Sequence, residues 1–286
     1  MLTSAKLAQA YRNACMAELE ALKPGNVHVF ADGHGMTIQD FIKSADASAA
    51  VIAQANLSVG ERIFQSVKAT QIAVGMNTNL GIILLCAPLI HAALQVSQAV
   101  DGENQSSQQR LNFTLSQLTV EDAALTGQAI VLANPAGLGK SGVNDVHEAS
   151  SVSLFEMMAS AQYKDRIAWQ YANAFADVLE FGLPHYNKAM RKWNNQAWAT
   201  TALYLGFLTR QLDSHIIRKY GEALANQVMQ EAIELQGLYW AADNPKLVQK
   251  HLLAWDASLK ARNINPGTCA DLTVACIMVS NFDEDV

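Results

Sequence analysis

From Leu80 to Leu94 the chain is apolar at nearly every position, and no other stretch constrains the fold as much. A helix without a polar face cannot lie on a protein surface, so this run predicts a buried central helix. It is shorter than a membrane span and carries Pro88 and His91, which points to a core helix, kinked or wedged at the proline. Val74-Gly75-Met76 and the small polar cluster Asn77-Thr78-Asn79 precede it. Asn77 or Thr78 is a natural N-cap. The same polar, glycine-flanked start offers free N–H groups and the positive end of a helix dipole to an anion. The cluster therefore reads either as a cap or as a phosphate site.

A chain of 286 residues, half of them apolar and 16% charged, can bury a sizeable core. Its net charge of −6, with no dense Lys/Arg block, argues against a nucleic-acid surface. The cysteines, Cys15, Cys86, Cys269 and Cys276, form no CxxC pair and sit in apolar helical patterns. They read as buried thiols in a reducing cytoplasm. The first residues do not form a signal peptide, and no membrane association is expected.

Helical periodicity runs through almost the whole chain, so the expected fold is an all-α, single-domain, multi-helix bundle over residues 1–286. Helices are expected over 3–22, 38–56, 59–73, 74–98, 120–133, 149–162, 165–181, 185–194, 196–213, 222–240 and 245–261, with a last one opened by Thr268. Thr37/Asp40, Ser58/Glu61 and Thr119/Asp122 have the spacing of capping boxes. Residues 101–109 read as a polar loop. Met157, Met158, Trp169, Tyr171, Phe175 and Phe181 read as packing residues, and Trp240 and Trp255 as anchors.

Polar chemistry collects at helix ends. Lys23 to Met36 holds two histidines, an aspartate, a lysine and three glycines in fourteen residues. Pro24 must end the first helix there. Asn134 to His147 is a second glycine-rich loop without P-loop spacing, in which Asp145 is either a cap or a site residue. Asp213 and His215 lie beside Arg210, Arg218 and Lys219. Glu18 sits at the edge of an apolar stripe, and Asp271 follows Thr268 at capping-box distance. No zinc spacing, GxSxG elbow or GxGxxG fingerprint is present. In a helical bundle such ends can converge on one crevice, and carboxylates, amides and helix N-termini suit a polyphosphate with Mg²⁺.

In combination, these pieces resemble the triphosphoribosyl-dephospho-CoA synthase family. The resemblance rests on Lys23-Pro24-Gly25, Gly33-His34 with Met36, Phe41 and Ser44. It continues through Gly75-Met76-Asn77-Thr78 with Gly81, Asp213, and Pro266-Gly267 followed by Ala270-Asp271-Leu272, and so covers most of the chain in order. It implies an all-α transferase that joins ATP to 3′-dephospho-CoA at a 2′-hydroxyl and releases adenine. The product is a prosthetic-group precursor. Positive charge develops at ribose C1′, where a carboxylate can stabilise it or deprotonate the acceptor.

The resemblance places Asp271 and Asp213 as candidate catalytic carboxylates and as metal ligands for Mg²⁺, and Glu18 is a third candidate acid. Lys23, Asn77 and Thr78 would contact phosphate. The wider substrate-binding set is Gly25, Asn26, His28, His34, Asn79, Gly81, Asp145, His215, Arg218, Asn265, Gly267 and Thr268. ATP and a nucleotide acceptor such as dephospho-CoA are the expected partners, with a homodimer as the expected assembly.

The sequence departs from the family pattern at several points. The synthases read Lys-Pro-Gly-Leu-Val-Asp where this chain has Asn26-Val27-His28, and an Asp where it has Gly35. They read His-Lys at Asn79-Leu80 and Thr-Asn at Ser214-His215. These changes resemble a paralogous branch tied to pterin-dependent one-carbon metabolism, acting on another nucleotide or acceptor. A non-catalytic, nucleotide-binding helical protein is the third reading.

Overall fold

The computed structural model describes residues 2–95, 106–135 and 150–283. Among them there is no strand; only two isolated bridges, His28 with Ala31 and Gly33 with Met36, break an all-α fold. No described helix is long and apolar enough to cross a membrane. The chain gathers into two compact units.

The first unit comprises Met1–Arg12, Lys43–Phe175 and Phe282–Val286. It holds the start of α1 (Ser4–Glu20), most of α2 (Ile38–Ile52), then α3 (Val59–Val74), α4 (Leu80–Leu94), α5 (Ser107–Ser116), α6 (Val120–Ala133), α7 (Leu154–Ala161) and α8 (Arg166–Ala172). The apolar run is its central helix. Of α4, only Gly81, His91, Ala93 and Leu94 escape full burial, and the helix packs against α3, α5 and α8. Its cap residue is Asn79, although the side chain that accepts the Leu80 N–H is that of Asn77, at 3.2 Å.

Pro88 lies inside α4 and cannot donate to the Leu84 carbonyl one turn back. Tyr171 of α8 fills that gap, its hydroxyl donating to Leu84 O at 2.6 Å. A buried tyrosine and a buried proline thus satisfy one another.

Capping boxes at Ser58/Glu61 and Thr119/Asp122 open α3 and α6 as expected. Asp122 does more than cap. Its Oδ2 takes the Thr119 N–H, and its Oδ1 takes both the Ser58 hydroxyl and the Gly60 N–H at 2.7 Å. The two helix starts approach so closely that a Cβ at Gly60 would lie 2.5 Å from Asp122 Cα. Arg62, fully buried, donates to the carbonyls of Ile52, Gln54 and Leu57 and so ties off the end of α2.

The second unit comprises Asn13–Ile42 and Ala176–Asn281. It holds the end of α1, a π-helix (Asp177–Gly182), α9 (Leu183–Trp193), α10 (Gln196–Arg210), α11 (Ser214–Tyr220), α12 (Glu222–Ala241), a 3₁₀ turn (Pro245–Leu247), α13 (Gln249–Ala261) and most of α14 (Gly267–Asp283). Helix α10 is its core, buried continuously from Ala199 to Leu208 between α9 and α12.

Several expected boundaries shift, and three of the shifts have a clear physical cause. Ser106 forms a capping box with Gln109, so the second half of the expected 101–109 loop starts a helix. The expected helix 165–181 stops at Ala172. Ala174 and Phe175 take left-handed φ values of 50° and 59°, with Phe175 held in place by burial against Tyr171. Residues 211–213 separate α10 from α11, because Asp213 caps a new helix.

Tyr171→Phe should cost about 1–3 kcal/mol, the penalty for an unsatisfied buried carbonyl. In a Pro88→Ala background the loss should shrink, because the helix then supplies its own donor to Leu84. Urea unfolding of the four proteins checks this; equal losses in both backgrounds would contradict it.

Candidate active site

The second unit brings together most of the residues singled out in the sequence, starting from one buried cation. Helix α1 ends because Pro24 cannot extend it, which leaves Lys23 pointing inward with no exposure at all. Its ammonium donates to Glu18, to Asn26 Oδ1 at 2.9 Å and to Val27 O at 2.8 Å. Those acceptors use all three of its N–H bonds. Burial pushes the Glu18 carboxyl up and the Lys23 ammonium down, and their mutual attraction opposes both shifts. The full set of acceptors around Nζ fits the charged pair. Instead of touching phosphate, Lys23 organises the loop that follows it, and Glu18 is its counter-ion.

The loop from Gly25 to Met36 is pinned against α13 and the turn before α14. Gly25 has φ +85°, and a Cβ there would meet Pro266 Cδ at 2.8 Å, so only glycine fits. Its N–H donates to Asp256 Oδ1 at 2.8 Å, and its carbonyl meets His34 Nε2 at 2.8 Å. Asn26 Nδ2 donates to Asn265 Oδ1 at 2.8 Å, joining the two proline-glycine turns. Tyr204 of α10 donates to Pro24 O at 2.7 Å. His28 is buried, with its Nδ1 accepting the Phe30 N–H and its Nε2 3.3 Å from Asp256 Oδ1 in poor hydrogen-bond alignment. Burial lowers its pKa despite that carboxylate.

Asp256 and Lys260 were missed in the sequence. An acid and a base four apart on a helix normally mark a solvated face. Burial pushes the Asp256 carboxyl up, but His28, the Gly25 N–H and Lys260 together hold it below the ordinary range.

Asp213 is buried, and its oxygens are engaged by backbone. Oδ1 accepts from His215 N and Ile216 N, capping α11, and Oδ2 accepts from Cys269 N in the first turn of α14. Ser214 and the His215 N–H meet Thr268 Oγ1 beside it. These contacts place Asp213 and Thr268 as the joint between two helix starts. Burial raises the Asp213 pKa, against the N–H groups that lower it. His215 lies against the α14 start, with Nδ1 2.8 Å from where a Cβ on Gly267 would stand. Burial, with Arg218, Lys219 and His34 nearby, pushes its pKa down to about 4. Asp271 is different: it is only half-buried, and its charge is felt by both Lys23 and Cys269.

The result is a polar end of the unit where the 25–36 loop and the starts of α11 and α14 meet. Arg218 and Lys219, both exposed, supply positive charge, and Asp271 is a half-buried carboxylate. Such an arrangement can hold an anion and place one acid beside it. Among the described residues no three His, Cys, Asp or Glu side chains group to hold a metal.

Of the other candidates, Thr78 and Asn79 lie in the first unit with their side chains buried. Thr78 donates to Ser44 Oγ at 2.5 Å, and Asn79 donates to Ser48 Oγ at 3.2 Å. Ser48 also meets the Tyr11 hydroxyl at 3.0 Å. This buried hydroxyl cluster anchors the start of α4; Gly81 lies in its first turn. Asp145 lies outside the described residues.

Comparison with known proteins gives the family. The model of the ATP:dephospho-CoA triphosphoribosyl transferase family matches residues 4–286, and the chain belongs to that family. It is a transferase of coenzyme biosynthesis that moves the triphosphoribosyl group to dephospho-CoA. A solved protein of Archaeoglobus fulgidus named for triphosphoribosyl-dephospho-CoA synthase shares the fold. Its TM-score is 0.61 at 21% identity, covering 85% of this chain and 97% of that one. No curated protein matches the chain.

The histidines set an acid limit. The folded His215 pKa of about 4 lies below the unfolded value of 6.5. The unfolded chain therefore binds more protons between these values, and stability is full above pH 6.5 and lost as pH falls towards 4. For His215 alone the loss is roughly 3 kcal/mol. Urea unfolding at pH 7 and pH 4.5 should show it, and His215→Gln should flatten the slope. A slope unchanged in the variant would refute the assignment.

Proposed function

We propose that the polar end of the second unit binds the triphosphate of ATP and that Asp271 is the carboxylate acting at the reacting ribose. The observation that carries this is a contrast in burial. Of the three candidate acids, Glu18 is buried against Lys23 and Asp213 against backbone N–H groups, whereas Asp271 reaches the surface.

The bond from ribose C1′ to adenine breaks, and adenine leaves with a proton. The 2′-hydroxyl of dephospho-CoA bonds to C1′ and gives up its own proton. Positive charge builds at C1′ on the way, and a nearby carboxylate stabilises it and receives that proton. Arg218 and Lys219 complement the phosphates by charge. Mg²⁺ fits here as a chelate held chiefly by phosphate oxygens, with at most one or two protein carboxylates. Of the two expected metal ligands, Asp213 is buried with both oxygens accepting backbone N–H groups, and Asp271 is half-buried. The ion supplies charge neutralisation on the triphosphate.

A different acceptor is the second reading. It is favoured by Asn26 and His28, which stand where the synthases carry Leu and Asp and are both tied into the loop network. An acceptor from one-carbon coenzyme synthesis belongs to that reading.

Purified protein with ATP, Mg²⁺ and dephospho-CoA should release adenine, read by chromatography. Asp271→Asn should slow release by at least ~100-fold while leaving ATP affinity within a few-fold. Turnover unchanged in a folded variant would remove Asp271. ATP binding with no adenine release from the wild-type chain would favour the changed acceptor.

A further inference from the structure

Between Val29 and Met36 no side chain is fully buried, and Val29 and Phe30 are 49% and 52% exposed. Packing therefore cannot fix this part of the loop; polar contacts must. Two contacts from one turn of α13 hold the loop, one at Gly25 just ahead of this stretch and one at Ala31 within it. Asp256 accepts the Gly25 N–H at 2.8 Å, and Lys260 donates to Ala31 O at 3.0 Å. The two side chains also hold each other, at 3.1 Å. His28 lies between the pinned points, with Nε2 facing the Asp256 carboxylate. The Lys260 stem lies under Gly33, where a Cβ would meet its Cε at 3.0 Å.

We propose that Asp256 and Lys260 are positioning residues for nucleotide binding, a charged clamp on α13 that holds the loop from Gly25 to Ala31 at two backbone atoms in its binding shape. This rests on the reading of that loop as part of the nucleotide site. The clamp touches no substrate. It acts through binding, because a loosened loop must be ordered again each time the nucleotide arrives.

The test uses Lys260→Met, which keeps the stem and removes the donor, with Lys260→Arg and Asp256→Asn beside it. Calorimetry gives the ATP Kd, and steady-state adenine release gives KM and kcat. Lys260→Met should raise Kd and KM about tenfold, the worth of one charge-assisted hydrogen bond, and leave kcat within about threefold. Lys260→Arg should recover most of the loss. Asp256→Asn keeps an oxygen for the Gly25 N–H but loses the charge facing Lys260, and should fall in between. Wild-type Kd and KM in Lys260→Met would overturn the clamp, as would a lower kcat at unchanged KM. A wild-type chain that binds ATP without releasing adenine would defeat the reaction proposed above and leave the clamp to be decided by Kd. A wild-type chain that binds no ATP would overturn both.

Discussion

The second unit depends on one buried ammonium. Lys23 sits with no exposure one residue before the proline that ends α1, and a charge so placed must be fully complemented or it cannot remain. Glu18 supplies the opposite charge, and Asn26 and Val27 supply the remaining acceptors. Removing either charge alone would strand the other, at a cost of about 3–5 kcal/mol. That requirement fixes the path of the next residues. Pro24 presents its carbonyl to Tyr204, Gly25 turns with positive φ, and Asn26 reaches Asn265. A polar loop in an apolar helical body thus acquires a single shape without a core of its own.

The same logic operates at the start of α14. Asp213 is buried because three backbone N–H groups converge on it, and in accepting them it sets α11 and α14 side by side. Burial, helped by neighbouring positive charge, lowers the pKa values of His34 and His215. Crowded cations at a polar end are an electrostatic preparation for an anion. The family takes ATP as a substrate, and its triphosphate is the anion proposed for this end.

Much of this was legible in the sequence. Helical period and capping boxes placed α3, α6 and the buried α4, because those signals are local. Lys23, Asn26, His28, His34, Asp213, Asn265 and Thr268 were named, and the second unit gathers them. Their roles were harder to read. Lys23 and Asp213 were expected to face a ligand; Lys23 is instead buried against Glu18, Asn26 and Val27, and Asp213 against backbone N–H groups, a distinction that depends on burial, which spacing along one chain does not carry. Asp256 and Lys260 have the spacing of an ordinary surface pair, and nothing local distinguishes them from one. The break at Ala174 and Phe175 was invisible for a similar reason: burial of the phenyl ring, not helix propensity, holds that backbone.

The central claim is that the polar end of the second unit is where the nucleotide binds. Amide hydrogen exchange of the whole chain, with and without ATP and Mg²⁺, tests it most directly. Binding at that end should slow exchange in residues 23–36 and 265–271. Protection confined to residues 77–81 of the first unit, with the loops of the second unchanged, would contradict it.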